Sequence, residues 1–407
     1  MRVTQSLNQL QFVAAIDTLQ SNLSQTQNQI STNLSFTTPS QNPVAAGAVN
    51  GYNQALAQSK QYDTNANSAQ TRLSTEDSAL TQVQNALQSL RTLALQANSG
   101  TLSSQDRGAI ATQATQIQAS LVSLANTQDG NGEYLFSGFA TQTKPFALSP
   151  TGATYSGDQG QRQLQIAAGQ SVADGDNGDT VFNQIKTGNG TFVATSGSGN
   201  TGTGVLGATT VVNASAYNGQ PYSIKFSAVP ATGLVANTYT ILDSTGAAVV
   251  PAVSGTYTSG QSIAYDGTQV TITGQPGIND TFSVAPSTNQ SVFTTVQNMV
   301  TALQSPATSS AGLAQLNNAL NGAINNIDQA LNQTSDVRSS IGGRLNSITT
   351  QLSVSSSQQI QLQTSISSLQ SLDYASALTQ LQGETTTLSA AMQAYTITQG
   401  LSLFKYL

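Results

Sequence analysis

The sequence predicts an α+β chain shaped as an elongated rod. A long α-helical coiled-coil bundle comes from both chain ends, and an antiparallel β-rich domain is inserted in the middle. Three observations lead there. Helix-spaced apolar seams run through both ends of the chain, whereas between about residues 134 and 286 they give way to glycine and short alternating runs. The ends are also almost free of charge: residues 1–60 hold only Arg2, Asp17 and Lys60, and residues 348–407 only Asp373, Glu384 and Lys405. A solvated amphipathic helix normally covers its outer face with Lys, Glu and Arg. Here that face is Gln, Ser, Thr and Asn, which suits helices packed on several sides by other helices.

The first periodic segment runs from about Leu7 to Leu34, with a seam at Phe12, Ile16, Leu19, Leu23 and Ile30. Pro39 and Pro43 forbid a continuous helix beyond it. A second pattern keeps one heptad frame through Tyr52, Ala55, Tyr62, Ala66, Ala69, Leu73, Leu80, Val83, Leu87, Leu90, Ala94 and Ala97. As one helix, residues 44–98 span ~80 Å at 1.5 Å per residue. Tyr52 and Tyr62 read as core. Asn98-Ser99-Gly100 ends this helix, and Ser103 with Asp106 three residues on caps a third, seamed by Ile110, Ala114, Ile117, Leu121 and Leu124. The short turn at 99–103 makes the two an antiparallel hairpin.

Strand-like alternation then appears at Leu164/Ile166, Tyr222/Ile224/Phe226, Tyr239/Ile241 and Val270/Ile272, with Asp266-Gly267 as a two-residue hairpin signal. The Gly/Ser-rich stretch 193–204 reads as a loop or linker. Helical spacing returns near Val292. After Pro306 one frame carries Leu313, Leu320, Ile327, Ile341 and Ile348, alongside Ile324, Leu331, Leu345 and Leu352. Gly342-Gly343 interrupt it at a cost of ~2 kcal/mol relative to Ala-Ala, which predicts a bend or a close helix approach. The seam resumes at Leu362, Ile366 and Leu369, then slips by one residue before Tyr374. Leu381, Leu388 and Tyr395 recur every seventh residue, as do Leu378, Thr385 and Met392. The expected domains are terminal helices 1–40 with 356–407, a long-helix bundle with a β-hairpin over 41–180 with 289–355, and an outer β-rich domain over 181–288.

Composition narrows the function. Of 407 residues only 7% are charged, the net charge is −6, and there is no Lys/Arg cluster, which argues against nucleic acid and anionic membranes as partners. No run approaches the ~18 apolar residues of a membrane span. With no His and no Cys, histidine triads, thiol nucleophiles and ordinary zinc sites are excluded; no Trp removes the usual sugar-stacking platform. The expectation is no enzyme, no cofactor and no metal. The N-terminal Met1-Arg2-Val3-Thr4-Gln5 lacks the apolar stretch of a secretory signal, so the chain is either cytosolic or exported without a cleaved signal.

Local motifs favour plain structural readings. Gly202-Thr-Gly204-Val-Leu-Gly207 matches a phosphate-loop pattern but lacks the preceding strand and following helix, so it reads as a loop. Asp174-Gly-Asp176-Asn-Gly-Asp179 resembles the opening of a calcium loop. Ile185 stands where the twelfth-position Glu belongs, so a solvated turn is expected. Glu76 and Asp77 are adjacent on a helix and point apart, which suits solvated or inter-subunit charges. Lys60, Arg72 and Arg91 read as surface residues.

Several blocks together resemble the flagellin superfamily. They are Leu73-Ser-Thr-Glu76-Asp77-Ser-Ala-Leu80, Arg91-Thr-Leu-Ala-Leu-Gln-Ala97, Thr101-Leu-Ser-Ser-Gln-Asp106-Arg107 and Leu124-Ala-Asn-Thr-Gln-Asp129-Gly-Asn-Gly132-Glu-Tyr134-Leu-Phe136-Ser-Gly138. With Pro39-Ser-Gln-Asn-Pro43-Val-Ala-Ala and the ending Leu401-Ser-Leu-Phe-Lys-Tyr-Leu407, the likeness is to the hook-associated members at the hook–filament junction. Flagellin itself typically carries Ser-Ser-Gly-Leu-Arg-Ile-Asn where this chain has Ser35-Phe36-Thr37-Thr38-Pro39. Gln41-Asn42 stand in place of the acidic residues usual after Pro39-Ser40.

The resemblance implies export through the flagellar type III channel without a cleaved signal peptide, with an export chaperone on the C-terminal region beforehand. It also implies an extracellular place in the flagellum, in a ring of copies of itself between hook-associated protein 1 and flagellin. The expected self-assembly residues are Phe12, Ile16, Leu19, Leu23, Ile30, Ile366, Leu369, Leu381, Leu388, Leu401, Phe404 and Leu407. Flagellin and a secreted adhesin or carbohydrate-binding protein using the β insertion are the competing readings. The terminal helices are expected to be unprotected in the monomer and ordered among neighbouring subunits.

Overall fold

A computed structural model of the chain describes residues 2–99, 102–228 and 238–400. Its contacts divide it into two compact units: Met1–Thr64 with Thr350–Leu407, and Asn65–Thr349. Helices α2 (Pro43–Ala97) and α5 (Ser310–Gln370) each contribute to both.

In the first unit, α1 (Arg2–Thr32) ends where Asn33 adopts a left-handed conformation, φ 56°, one that Asn tolerates. Pro43 opens α2 at the position where its missing N–H costs nothing, while the Asn42 Oδ1 accepts from the Ala45 N–H at 3.1 Å. The one-residue slip in the C-terminal seam is a helix break. α5 stops at Gln370, and α6 (Tyr374–Gly400) begins under an Asp373 cap that accepts from the Ala375 and Ser376 amides at 3.1 and 3.2 Å. The two breaks meet, since the Ser35 N–H donates to the Gln370 carbonyl at 2.7 Å and Leu34 bridges Ser371. Here Phe36, Ala45 and Val49 form a small core with Ala46, Ile366 and Leu369. Farther along, α2 and α5 meet through a polar layer: buried Ser59 and Ser355 share a 2.8 Å hydrogen bond, and Gln359 donates to Asp63 at 2.6 Å. Tyr52, expected in the core, is 36% exposed, and Tyr62 is half-buried with its hydroxyl accepting from Gln58.

In the second unit the predicted heptad frame is the helical core. Ala66, Ala69, Leu73, Leu80, Val83, Leu87, Leu90 and Ala94 on α2 are at most 1% exposed, and Leu320, Ile327, Ile341 and Ile348 on α5 are fully buried. The two helices run antiparallel. Asp77, Gln84, Arg91 and Asn98 bond in turn to Arg338, Ser335, Asp328 and Asn321. α5 continues through Gly342-Gly343, and a Cβ on either would meet nothing within 4 Å, so the expected close helix approach is absent. A solvated face tolerates the pair once tertiary contacts on the opposite face hold the helix.

Helix α3 (Ser104–Ala125) starts with a full capping box between Ser103 and Asp106; residues 100 and 101 of the turn before it lie outside the described residues. It packs along α4 (Val292–Gln304), whose Phe293 joins Phe136, Phe146 and Phe182 in an aromatic cluster with centroids 5.1–5.8 Å apart.

Between these helices lies the antiparallel β region. The hairpins β1–β2 (Phe146–Ser149, Gly152–Tyr155) and β3–β4 (Gln163–Ala167, Gln170–Ala173) come first, followed by a π-helical turn at Asp179–Asn183 and short β5 (Ile185–Lys186). A five-stranded sheet has the order β10-β9-β8-β13-β6, drawn from β6 (Phe192–Ser196), β8 (Tyr222–Ser227), β9 (Thr238–Asp243), β10 (Ser254–Thr256) and β13 (Thr281–Pro286). A three-stranded sheet has the order β11-β12-β7, from β7 (Val205–Val211), β11 (Ser262–Tyr265) and β12 (Thr268–Thr273), and β14 (Asn289–Gln290) pairs β5.

Alternation is plain on β8, where Tyr222, Ile224 and Phe226 face a core shared with Ile241, Ile272 and Phe282. Asp266-Gly267 is the expected hairpin turn, with φ 50° and 70°; a Cβ on Gly267 would lie 2.1 Å from the Asn213 carbonyl oxygen. The stretch read as a loop is partly strand, since β6 takes an edge position against β13. The remaining loop is fixed by Asp280, which accepts from the Thr201 and Gly202 amides at 2.7 and 2.9 Å.

Candidate assembly interface

The terminal helices α1 and α6 pack along each other. Phe12, Ile16, Leu19, Leu23 and Ile30 line one side of α1 and are all half-buried; Leu381, Leu388 and Tyr395 are likewise half-buried on α6. The rings of Phe12 and Tyr395 lie 6.3 Å apart, and Gln9 donates to the Tyr395 hydroxyl at 3.4 Å. Among the described residues of this pair only Thr26 and Ala377 are buried. The α2 seam, with the same kind of spacing, is dry. Ile366 and Leu369 are half-buried at the end of α5, against the Phe36 core and apart from the α1–α6 seam. Leu401, Phe404 and Leu407 lie outside the described residues.

The pair also presents apolar side chains that it does not cover. On α1, Leu7 and Leu10 are 52% and 69% exposed, on the side opposite the Phe12–Leu23 seam at 3.6 residues per turn. On α6, Tyr374, Leu378 and Met392 form an exposed stripe beside the Leu381–Tyr395 seam. The second heptad of the sequence, Leu378–Thr385–Met392, is this outer stripe. The seam also contains Glu384, whose Oε1 accepts from Gln380 at 2.9 Å while its shielded Oε2 has no protein partner.

Arg72, Glu76, Asp174 and Asp176, singled out in the sequence, lie in a buried network in the other unit, whereas Lys60 is exposed. Arg72, expected on the surface, is 5% exposed; it bonds Asp129 at 2.6 Å and the Tyr134 carbonyl at 3.0 Å. Arg162 bonds Asp174 at 2.6 Å and Glu133 at 3.2 Å, and Arg344 of α5 bonds Asp176. The Asp174–Asp179 stretch is therefore neither a calcium loop nor a solvated turn: Asp174 is 2% exposed and its carboxylate serves arginines. Arg91 is half-exposed and pairs with Asp328 at 2.6 Å.

Glu76, expected to be solvated or between subunits, is 0% exposed. Its Oε1 accepts from the Asp176 amide at 3.2 Å. Burial, with the Asp176 carboxylate beside it, raises its pKa well above the ordinary value, against the opposing pull of Arg344 and Arg72. The folded state therefore favours the protonated form more than the unfolded chain does. Its contribution to stability is full below about pH 4.5, the ordinary value, and is lost as pH rises through the folded-state value. Glu76→Gln is expected to raise the melting temperature at neutral pH and to flatten its decline between acidic and neutral pH. Calorimetry across that range checks it; a lower melting temperature for the Gln variant at pH 7 contradicts it.

Comparison with known proteins agrees with the fold. The sequence model of the bacterial flagellin N-terminal helical region matches residues 3–141. Flagellar hook-associated protein 3 of Escherichia coli K12 is 38% identical over 157 residues, 39% of this chain and 49% of that protein. The chain thus spans about half the length of the curated relatives it matches. Among solved structures, FlgL of Xanthomonas campestris is 36% identical, with TM-score 0.71, over 78% of this chain and 99% of that one. Flagellar hook associated protein-3 of Legionella pneumophila is 30% identical, with TM-score 0.74, over 79% and 98%.

Proposed function

Since this chain belongs to the flagellar hook-associated protein 3 family, we propose that it is a structural adaptor of the bacterial flagellum that joins hook to filament. It assembles as a ring of identical copies, with hook-associated protein 1 on the hook side and flagellin on the filament side. It carries no enzymatic activity. It reaches the exterior by flagellar export without a cleaved signal, escorted by a chaperone at its C-terminal region. The relatives' printed names support the junction role: one is a hook-associated protein and another a flagellar junction protein.

The observation that carries the assembly reading is the α1–α6 pair, which is nearly uncharged, half-covered and apolar on more than one side. The uncovered faces belong to different helices, Leu7/Leu10 on α1 and Tyr374/Leu378/Met392 on α6. Contact between copies through unlike faces is head-to-tail, and such contacts generate rings or helices instead of closed two-fold dimers. The assembly residues are the seams Phe12, Ile16, Leu19, Leu23, Ile30, Leu381 and Leu388, then Ile366 and Leu369, and the tail Leu401, Phe404 and Leu407.

The test is depletion of the protein from its host. Bare hooks with flagellin shed into the medium are expected. Normal filaments would overturn the proposal, and polymerisation of purified monomer alone into long filaments would favour a flagellin.

A further inference from the structure

Six Asn-Gly pairs occur in the chain, at Asn50, Asn131, Asn177, Asn189, Asn218 and Asn321. In such a pair the glycine nitrogen can attack the asparagine side-chain carbonyl, because no Cβ hinders its approach. That nitrogen must first be free to lose its proton, and in five of the pairs it is held in a hydrogen bond. Gly51 and Gly322 lie inside α2 and α5, where each amide bonds the carbonyl four residues back. The Gly132, Gly178 and Gly190 amides donate to the Asp129, Phe136 and Thr187 carbonyls at 3.1, 2.8 and 3.2 Å. Asn177 and Asn189 are held a second time, their Nδ2 groups donating to the Gln159 and Thr209 carbonyls at 3.2 and 3.3 Å. The Gly219 amide has no acceptor among the described residues, and a Cβ on Gly219 would meet nothing within 4 Å. Asn218 is exposed. Its Oδ1 accepts from the Gln220 N–H at 2.8 Å, a bond that draws the side-chain carbonyl back over the Asn218–Gly219 peptide and polarises it.

We propose that Asn218 is a site of spontaneous deamidation, selected from the six pairs by the fold. Hydroxide takes the Gly219 amide proton, and the nitrogen forms a bond to Asn218 Cγ. The Cγ–Nδ2 bond breaks, and Nδ2 takes up a proton from solvent and leaves as ammonia. Water then opens the resulting succinimide ring. Addition at Cγ breaks the Cγ–N bond and gives aspartate; addition at the main-chain carbonyl breaks the peptide C–N bond and gives isoaspartate. The net change is one water consumed and one ammonia released, with no oxidant or reductant. Either product carries a new carboxylate next to Asp266, whose Oδ2 accepts from the Asn218 N–H at 3.2 Å. Isoaspartate also adds a methylene to the main chain. The segment leading to Asn218 covers the β11–β12 turn, where the Val212 and Asn213 N–H groups donate to the Gly267 carbonyl at 2.8 and 3.0 Å. Conversion therefore sets like charges and a longer main chain against that turn and loosens it. This inference is independent of the assembly reading.

The test is incubation of the purified full chain at neutral and mildly alkaline pH, followed by peptide mapping with mass spectrometry. The same chain unfolded in urea is the reference. Asn131 is the sharpest comparison, since it is also exposed but its glycine amide is bonded. In the folded protein, conversion at Asn218 is expected to exceed that at Asn131 by roughly threefold or more, the worth of one amide hydrogen bond. The rate should rise with hydroxide concentration. In urea all six pairs should convert at comparable rates. Equal or faster conversion at any other pair of the folded protein overturns the site. So does an intact Asn218 over the time in which the unfolded chain converts, or the same preference for Asn218 in urea.

Discussion

Leu381→Asp with Leu388→Asp is expected to abolish incorporation into the flagellum while leaving the second unit folded, and deletion of residues 388–407 is expected to do the same. Both leucines lie on the α6 face that meets α1, and both are only half-buried there, so part of their apolar area remains for neighbouring copies. Full burial of each is worth ~1.5–3 kcal/mol. About half of that remains for neighbouring copies, so losing two costs the assembly about 1.5–3 kcal/mol, which corresponds to a factor of roughly 10–10² in an association constant. Two unpaired carboxylates in an apolar seam add to that loss. The second unit should keep its cooperative melt, since its core of α2, α5 and the β sheets contains neither residue. Complementation of a strain lacking the protein, alongside calorimetry of the purified variant, separates the two effects. Filaments of normal length from the double variant contradict the proposal; collapse of the main melting transition contradicts the independence of the second unit.

Arg72→Ala is expected to have the largest effect on stability. Arg72 is buried and neutralises Asp129, with Glu133 and Asp174 close by at 3.5 and 3.9 Å. Removing one member of a buried ionic set typically costs ~3–5 kcal/mol, because the remaining charges stay desolvated without a partner. That is a large fraction of the ~5–15 kcal/mol by which a domain is stable. Arg72→Lys should recover only part of it, since an ammonium cannot reach the Asp129 carboxylate and the Tyr134 carbonyl in the planar geometry of the guanidinium. Denaturant titration of the three proteins checks the order. An alanine variant within 1 kcal/mol of the parent, about the worth of a surface ion pair, contradicts it.

The parts of the fold that were legible in the sequence rest on local signals. Pro39 and Pro43 mark the gap between the first two helices, the heptad frame from Ala66 to Ala94 is the dry seam of α2, and Asp266-Gly267 is the β11–β12 turn. The slip before Tyr374 marks a real break because a one-residue offset cannot keep both seams on one helical face.

What was not legible depends on partners far away in the chain. Arg72 and Glu76 look like ordinary helix charges until residues 129–134, 162 and 174–176 close over them. The sheet order places β13 between β8 and β6, a non-local pairing with no local signal, and β6 is masked by the Gly/Ser run that follows it. Tyr52 keeps the heptad frame but is exposed; periodicity gives the face of a helix and does not say what covers that face. The same limit applies to the assembly seams, whose half-burial could not be read from spacing.

Amide hydrogen exchange on α1 and α6, measured on the purified monomer and again after assembly, decides whether the terminal pair is incomplete by itself. Rapid exchange is expected across residues 6–32 and 374–398 in the monomer, beside slow exchange in α2 from Ala66 to Ala94, and strong protection of both terminal helices in the assembled state. Terminal helices as protected in the dilute monomer as the α2 seam would show a pair complete in itself, and the case for neighbouring copies as its missing walls would fail.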